Sequence, residues 1–168
     1  MSNFLSIKLI TSYTTHLWED SLFFLEKAVE LAEQQDTWHV ATYLRGCIYF
    51  SATAFEGSCA DICQKRKFSN HIGVLKGIKK ELRENHGVST FDPDSPYWKN
   101  VQEKLNRRNA FTHRVTDQAE LLQADIQSAA DIAVTFLKAM KEIYKLFNKP
   151  VDQWIDEYQS QFERYLSN

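Results

Sequence analysis

The sequence predicts an all-α fold, an up-and-down helical bundle of five to six helices, on three observations. Apolar residues recur at three- and four-residue spacing along most of the chain, and no run reads as a strand pair. Gly (5) and Pro (3) are scarce, so turns are few and elements long. Hydrophobic residues make up 43% and aromatics 13% of 168 residues, which is enough for one core. The reading is therefore a single domain over 1–168, with its core in about 15–148 and a C-terminal amphipathic helix over 151–166.

The first helix is expected over 15–35, where Leu17, Ser21, Phe24, Ala28 and Leu31 form a stripe that Leu22, Leu25, Val29 and Ala32 widen. The second, over 38–64, is apolar almost all round, from Val40 and Leu44 through Cys47, Ile48 and Phe55 to Ile62. A helix without a polar face belongs at the centre of the bundle. Its small residues, among them Gly46, Ser51, Gly57 and Ser58, allow neighbours to approach closely. A third helix over 70–84 turns Ile72, Leu75, Ile78 and Leu82 inward, and a loop through His86, Gly87 and Pro93 follows.

Ser95 then caps a fourth helix over 96–112, with Pro96 at its first position, where a missing N–H costs nothing. The fifth, over 125–147, carries an inner stripe of Ile126, Ala130, Ala133, Leu137, Met140, Tyr144 and Phe147. After Pro150 the last helix displays Trp154, Tyr158, Phe162 and Tyr165. That strip either docks onto another protein or covers the domain's own core or a dimer seam.

Composition narrows the function. The formal net charge is −2, whereas a protein that simply coats nucleic acid is strongly basic, so any RNA contact must be local. The three cysteines, Cys47, Cys59 and Cys63, are odd in number and share one apolar stretch, which reads as reduced core thiols. Cys59 and Cys63 lie one turn apart, but no CxxC pair or nearby His completes a zinc set, so neither metal nor cofactor is expected. Residues 1–17 lack a basic patch followed by a clean apolar run. Neither a signal peptide nor a membrane span is expected, and the default location is cytoplasmic.

One segment stands out for chemistry: Arg107-Arg108-Asn109-Ala110-Phe111-Thr112-His113-Arg114. The inward stripe of the fourth helix is Trp98, Val101 and Leu105, and its rhythm continues to 108. Arg108 thus sits on the apolar seam, while Arg107 turns about 100° away toward solvent. An arginine on such a seam needs an anionic partner, a carboxylate or a phosphate. Glu56, on the nearly continuous apolar second helix, poses the same question from the other side. An Arg108–Glu56 ion pair, with Asn109 and His113 merely ending a helix, is the plain structural alternative. For His16, His39, His71 and His86, surface or capping roles are expected. The Lys65-Arg66-Lys67 run and the Lys76, Lys79, Lys80 and Arg83 set read as solvated faces or as guides for RNA.

Arg-Asn-x-x-x-His resembles the signature of the HEPN superfamily (higher eukaryotes and prokaryotes nucleotide-binding): an Arg, four to six residues, then a His, often with a polar residue after the Arg. Spacing alone is cheap. Seven Arg and five His give about 0.6 chance matches, and Arg66 with His71 is one. The Asn after Arg108, its position at the end of a helix before a long helical partner, and the helix order over about 17–147 carry the resemblance.

The resemblance implies a metal-independent endoribonuclease, a role as toxin in a toxin–antitoxin or host-defence system, a homodimer, and a nucleotidyltransferase-type antitoxin as partner. It assigns His113 as general base or acid, Arg108 as the clamp on the scissile phosphate, and Asn109 as an orienting group. Glu56 would hold Arg108 in its rotamer, and Lys104, Arg107 and Arg114 would touch flanking phosphates. In one continuous helix Arg108 and His113 lie about 140° apart, so the helix unwinds before His113 or a second chain completes the site. The alternative is a non-catalytic HEPN-like module that binds a nucleotide or a partner.

Overall fold

The computed structural model describes residues 13–65, 68, 73–112 and 125–166, with the backbone alone for 109–112. Six helices and no strand make up the described residues. They are α1 (Tyr13–Glu33), α2 (Thr37–Ile62), α3 (Val74–Asn85), α4 (Pro96–Thr112), α5 (Ile126–Leu146) and α6 (Gln153–Glu163). The fold is all-α, as expected. The described helices follow the sequence reading to within a few residues, and α3 differs most. Its described span begins at Val74 after Gly73, and Ile72 lies outside the described residues.

Local chemistry sets the ends. Residues Gln35, Gln64 and Asn148 close α1, α2 and α5 in the left-handed region, at φ 60°, 53° and 51°. Each lets the next N–H reach back to a carbonyl of the preceding turn: Asp36 to Leu31, Lys65 to Ala60, and Lys149 to Tyr144. Asp36 then accepts from the His39 N–H and starts α2 at once. α5 opens with a reciprocal capping box. The Ser128 N–H donates to the Asp125 carboxylate at 2.6 Å, and the Asp125 N–H donates to the Ser128 hydroxyl at 3.1 Å. α4 follows a tight turn in which the Ser95 N–H donates to the Asp92 carbonyl. The Ser95 carbonyl accepts the first helical bond, from Lys99.

The short α1–α2 connection makes an antiparallel hairpin. Thr14 lies against Gly57, Ser21 against Cys47 and Ser51, and Phe24 against Gly46. A Cβ at Gly46 would stand 2.1 Å from the Phe24 ring, so this position admits only glycine without repacking. α2 is central. It packs on α1, α3, α4 and α5, and its Phe55 stacks on Phe136 of α5 with centroids 5.0 Å apart.

Directions follow from the contacts. Phe55 meets Phe136, and Lys149, just past α5, donates to the Ile62 carbonyl, so α2 and α5 run the same way. α4 runs against both, because Lys104 pairs with Asp131 while Tyr97 lies beside Glu142. α6 folds back on α5: Tyr144 donates to Asp152, Lys141 to Gln159, and Lys138 pairs with Glu163. Trp154, Tyr158 and Tyr165 pack against the core, and Ile155 and Phe162 are buried in it. The aromatic strip therefore covers the domain's own core.

All three cysteines are buried free thiols. Burial pushes the Cys47 and Cys63 thiols up to about 11 and raises Cys59 as well. No helix of the described residues is long and apolar enough to cross a membrane.

Candidate functional site

The seam of α4 behaves as its spacing predicts. Trp98, Val101 and Leu105 are buried, and Arg108 follows them with 17% of its side chain exposed. A guanidinium so placed loses most of its hydration and needs an acceptor. Glu56 supplies it: Arg108 Nη2 donates to Glu56 Oε1 at 2.7 Å, linking α4 to α2. The Glu56 side chain keeps 35% exposure, so the pair lies at the edge of the bundle with its carboxylate side open to solvent. Arg108 Nε is buried without a hydrogen-bond partner among the described residues.

A second bridge fixes α4 from the other side. Lys104, whose side chain is 13% exposed, forms an ion pair with Asp131 of α5. This explains a lysine tucked against the bundle, and it gives Lys104, a candidate RNA contact, a carboxylate partner within the chain. Nothing in the local pattern announces Asp131, since it comes from a solvent-facing position 27 residues on. Arg107 departs from expectation as well. It is only partly exposed, with Nε buried. The 100° rotation from Arg108 carries it off the seam but not into open water.

The backbone of Asn109 is helical, and its side chain lies outside the described residues. His113 and Arg114 also lie outside them. The described part of α4 reaches Thr112. Among the sequence-predicted site residues, the structure thus brings Arg108 and Glu56 together and places Lys104 and Arg107 on the same helix end.

The other histidines take surface roles where they are described. His16 bonds Glu19 at 3.0 Å, His39 bonds Asp36 at 2.6 Å, and His86 lies edge-on to Phe147. His71 lies outside the described residues. Lys65 is tied to Glu81 of α3 at 2.5 Å, whereas Lys76, Lys79, Lys80 and Arg83 are exposed. Glu81 itself is a buried carboxylate that the sequence reading passed over. It shares the inward stripe with Ile78 and Leu82, and that position was the available signal.

A cleft of about 460 Å³ lies near the opposite end of α4, beside Tyr97, Lys138, Lys141 and Glu142. Its lysines are held by Glu163 and Asp156, which leaves little charge for a ligand. No group of three His, Cys, Asp or Glu among the described residues is arranged to hold a metal ion.

Comparison of the chain with family models, curated proteins and solved structures returned no match.

Proposed function

We propose that the chain is a HEPN-type, metal-independent endoribonuclease acting in the cytoplasm, with Arg108 and His113 as its working pair. The observation that carries the reading is the Arg108–Glu56 contact. A guanidinium on an apolar seam is held in one orientation by a carboxylate at the solvent edge, immediately before Asn109 and the rest of the Arg-Asn-x-x-x-His motif. Such a group is positioned before substrate arrives, which is what stabilising a transition state requires.

The chemistry is internal transesterification. The 2′-hydroxyl of RNA attacks the adjacent phosphorus while a base takes its proton, and the bond to the leaving 5′ oxygen breaks as an acid protonates that oxygen. An imidazole can perform either task near neutral pH, and His113 supplies one. Arg108 stabilises the charge on the equatorial oxygens of the pentacoordinate transition state. Asn109 orients the phosphate or His113, and Arg107 and Arg114 hold flanking phosphates. One His per chain supplies one proton-transfer group, so a homodimer cleft supplies both. The products are a 2′,3′-cyclic phosphate and a 5′-hydroxyl. A toxin restrained by a nucleotidyltransferase-type antitoxin is the setting that the family resemblance implies.

A second reading is a non-catalytic HEPN-like module that binds a nucleotide or a partner. The ion pairs favour its partner-binding form, since Glu56 and Asp131 already neutralise Arg108 and Lys104. One experiment separates the two. Purified protein is incubated with mixed RNA in EDTA, beside His113→Ala and Arg108→Ala variants verified as folded by circular dichroism. The nuclease reading expects cleavage with cyclic-phosphate ends by the parent alone. Equal cleavage by all three would sink the site assignment, and no cleavage by any would favour the second reading.

A further inference from the structure

Lys76, Lys79, Lys80 and Arg83 of α3 are all exposed, and none forms an ion pair with a described residue. Elsewhere on the bundle Lys27, Lys65, Lys104, Lys138, Lys141 and Lys145 each meet a carboxylate of the chain. Spacings of one, three and four residues gather the four α3 charges into an arc of about 100°, over about 10 Å of helix. We propose that this stripe binds the phosphate backbone of RNA, as a contact separate from the Arg108 site.

The packing of α3 produces the stripe. Val74, Leu75, Ile78 and Leu82 are buried, and Glu81 is buried with them against Lys65. These residues take the opposite arc of the helix, so all four cations face outward. Of the two acids on α3, Glu81 is engaged by Lys65 and Asn85, and Glu84 lies at the rim beside Lys80. The charges on the stripe stand about 5 Å apart, inside the screening distance of about 8 Å at physiological salt. They therefore repel one another. Phosphates laid along the stripe relieve that repulsion and release their own counterions.

The surroundings narrow the occupant. The large apolar side chains of α3 are all buried, so the helix has none to sink into a lipid surface, as an interfacial helix does. The stripe holds only lysine and arginine, with no aromatic ring among them for a base to stack on. Its contact is with phosphates and is independent of base sequence. The choice of RNA over other polyanions rests on the nuclease reading. The place of α3 fits a second contact on the same strand. Lys65 meets Glu81 where α2 ends, and Glu56 meets Arg108 nine residues earlier. The two junctions thus lie about 13 Å apart along α2, so the two sites hold different phosphates.

The test is binding of a fluorescein-labelled 2′-O-methyl oligouridine, followed by anisotropy in EDTA at several salt concentrations. This strand lacks the internal nucleophile and cannot be cleaved. A triple variant with Lys76→Gln, Lys79→Gln and Lys80→Gln should bind at least about 10-fold more weakly than the parent at low salt. Its logarithmic salt slope should be shallower by about 2, at about 0.7 per lost phosphate contact. A control triple with Arg45→Gln, Lys99→Gln and Arg164→Gln removes the same charge from α2, α4 and the end of α6, and should bind as the parent does. Circular dichroism checks the fold of both. Equal weakening by the two triples overturns the proposal, because net charge alone then explains the binding. So does a parent that does not bind the strand, or an α3 triple that loses only binding to phosphatidylserine vesicles. A protein that binds through α3 but cleaves no RNA keeps the stripe and sinks the nuclease. Cleavage by a parent whose two triples bind alike keeps the nuclease and sinks the stripe.

Discussion

Two ion pairs join α2 to its neighbours, and they are built in opposite senses. At the C-terminal end of α2, Lys65 meets Glu81 of α3, and the buried member is the acid: Glu81 is 10% exposed while Lys65 is 38% exposed. Both carboxylate oxygens are committed, Oε2 to Lys65 at 2.5 Å and Oε1 to Asn85 at 2.6 Å. Two turns earlier Glu56 meets Arg108, and there the buried member is the base. Its carboxylate looks outward, and the Arg108 Nε has no acceptor among the described residues. The first pair is saturated and closes a helix junction. The second rests on one contact, from Arg108 Nη2 to an acid at the solvent edge beside the motif segment.

The sharpest way to break this contrast is RNA cleavage. Arg108→Ala should lower the rate by about 100-fold or more, the usual consequence of losing a positioned donor to a transition-state oxyanion. Glu56→Gln should lower it less, because the amide oxygen still accepts from the guanidinium while the charge that fixes it is gone. Glu81→Gln should leave the rate unchanged. Equal rates for the parent and Glu56→Gln, with loss in Glu81→Gln, would place the functional acid at the Lys65–Glu81 junction instead.

Stability should show the inversion directly. Removing the exposed member of each pair strands the buried one, and a stranded buried charge costs more than a stranded exposed charge. Glu56→Ala, which leaves Arg108 without its acceptor, should cost about 2 kcal/mol. Arg108→Met keeps the aliphatic stem in place and leaves Glu56 partly hydrated, so it should cost under about 1 kcal/mol. At the other pair the order reverses: Lys65→Met, which leaves Glu81 to Asn85 alone, should cost more than Glu81→Gln. Urea midpoints at neutral pH measure all four. The same order at both pairs would mean that burial does not decide their energetics.

The frame of these two sites is legible in the sequence because periodicity and capping act locally. The apolar rhythm of α2 predicts its central place, Asp125 and Ser95 mark starts, and the seam of α4 singles out Arg108 and its need for an anion. Glu56 is legible for the same reason, as a charge on an otherwise apolar helix. Other members depend on contacts distant in sequence. Asp131 is an ordinary acid until α5 is laid against α4, and it then takes Lys104 out of the set of free cations. Arg107 is less exposed than its angle on the helix suggests, because a helical wheel gives direction and not burial. Glu81 escapes notice because α3 is rich in charge, and one carboxylate on its inward stripe is masked by Lys79, Lys80, Arg83 and Glu84 around it. What local pattern cannot supply in each case is the partner across the bundle.

The smallest expected effect is an acid sensitivity at the Lys65–Glu81 junction. The bond from Lys65 first, and that from Asn85 second, hold the Glu81 carboxyl below its ordinary value of 4.5, against a burial that pushes it upward. His86 adds to the lowering. In the unfolded chain those partners are gone and the carboxyl takes its proton more readily. Folding therefore favours the ionised form. The stabilisation is complete above 4.5 and disappears as the pH falls through the lower folded value. Urea midpoints taken downward from pH 7 should hold and then drop below 4.5, and Glu81→Gln should flatten part of that drop by removing the group that titrates. Lys65→Met should flatten it as well, because the carboxyl then loses the main cause of its lowering. A parent and a Glu81→Gln variant with superimposable acid limbs would show that the junction carries no linked proton, and the saturated pair would then be no more than a surface contact.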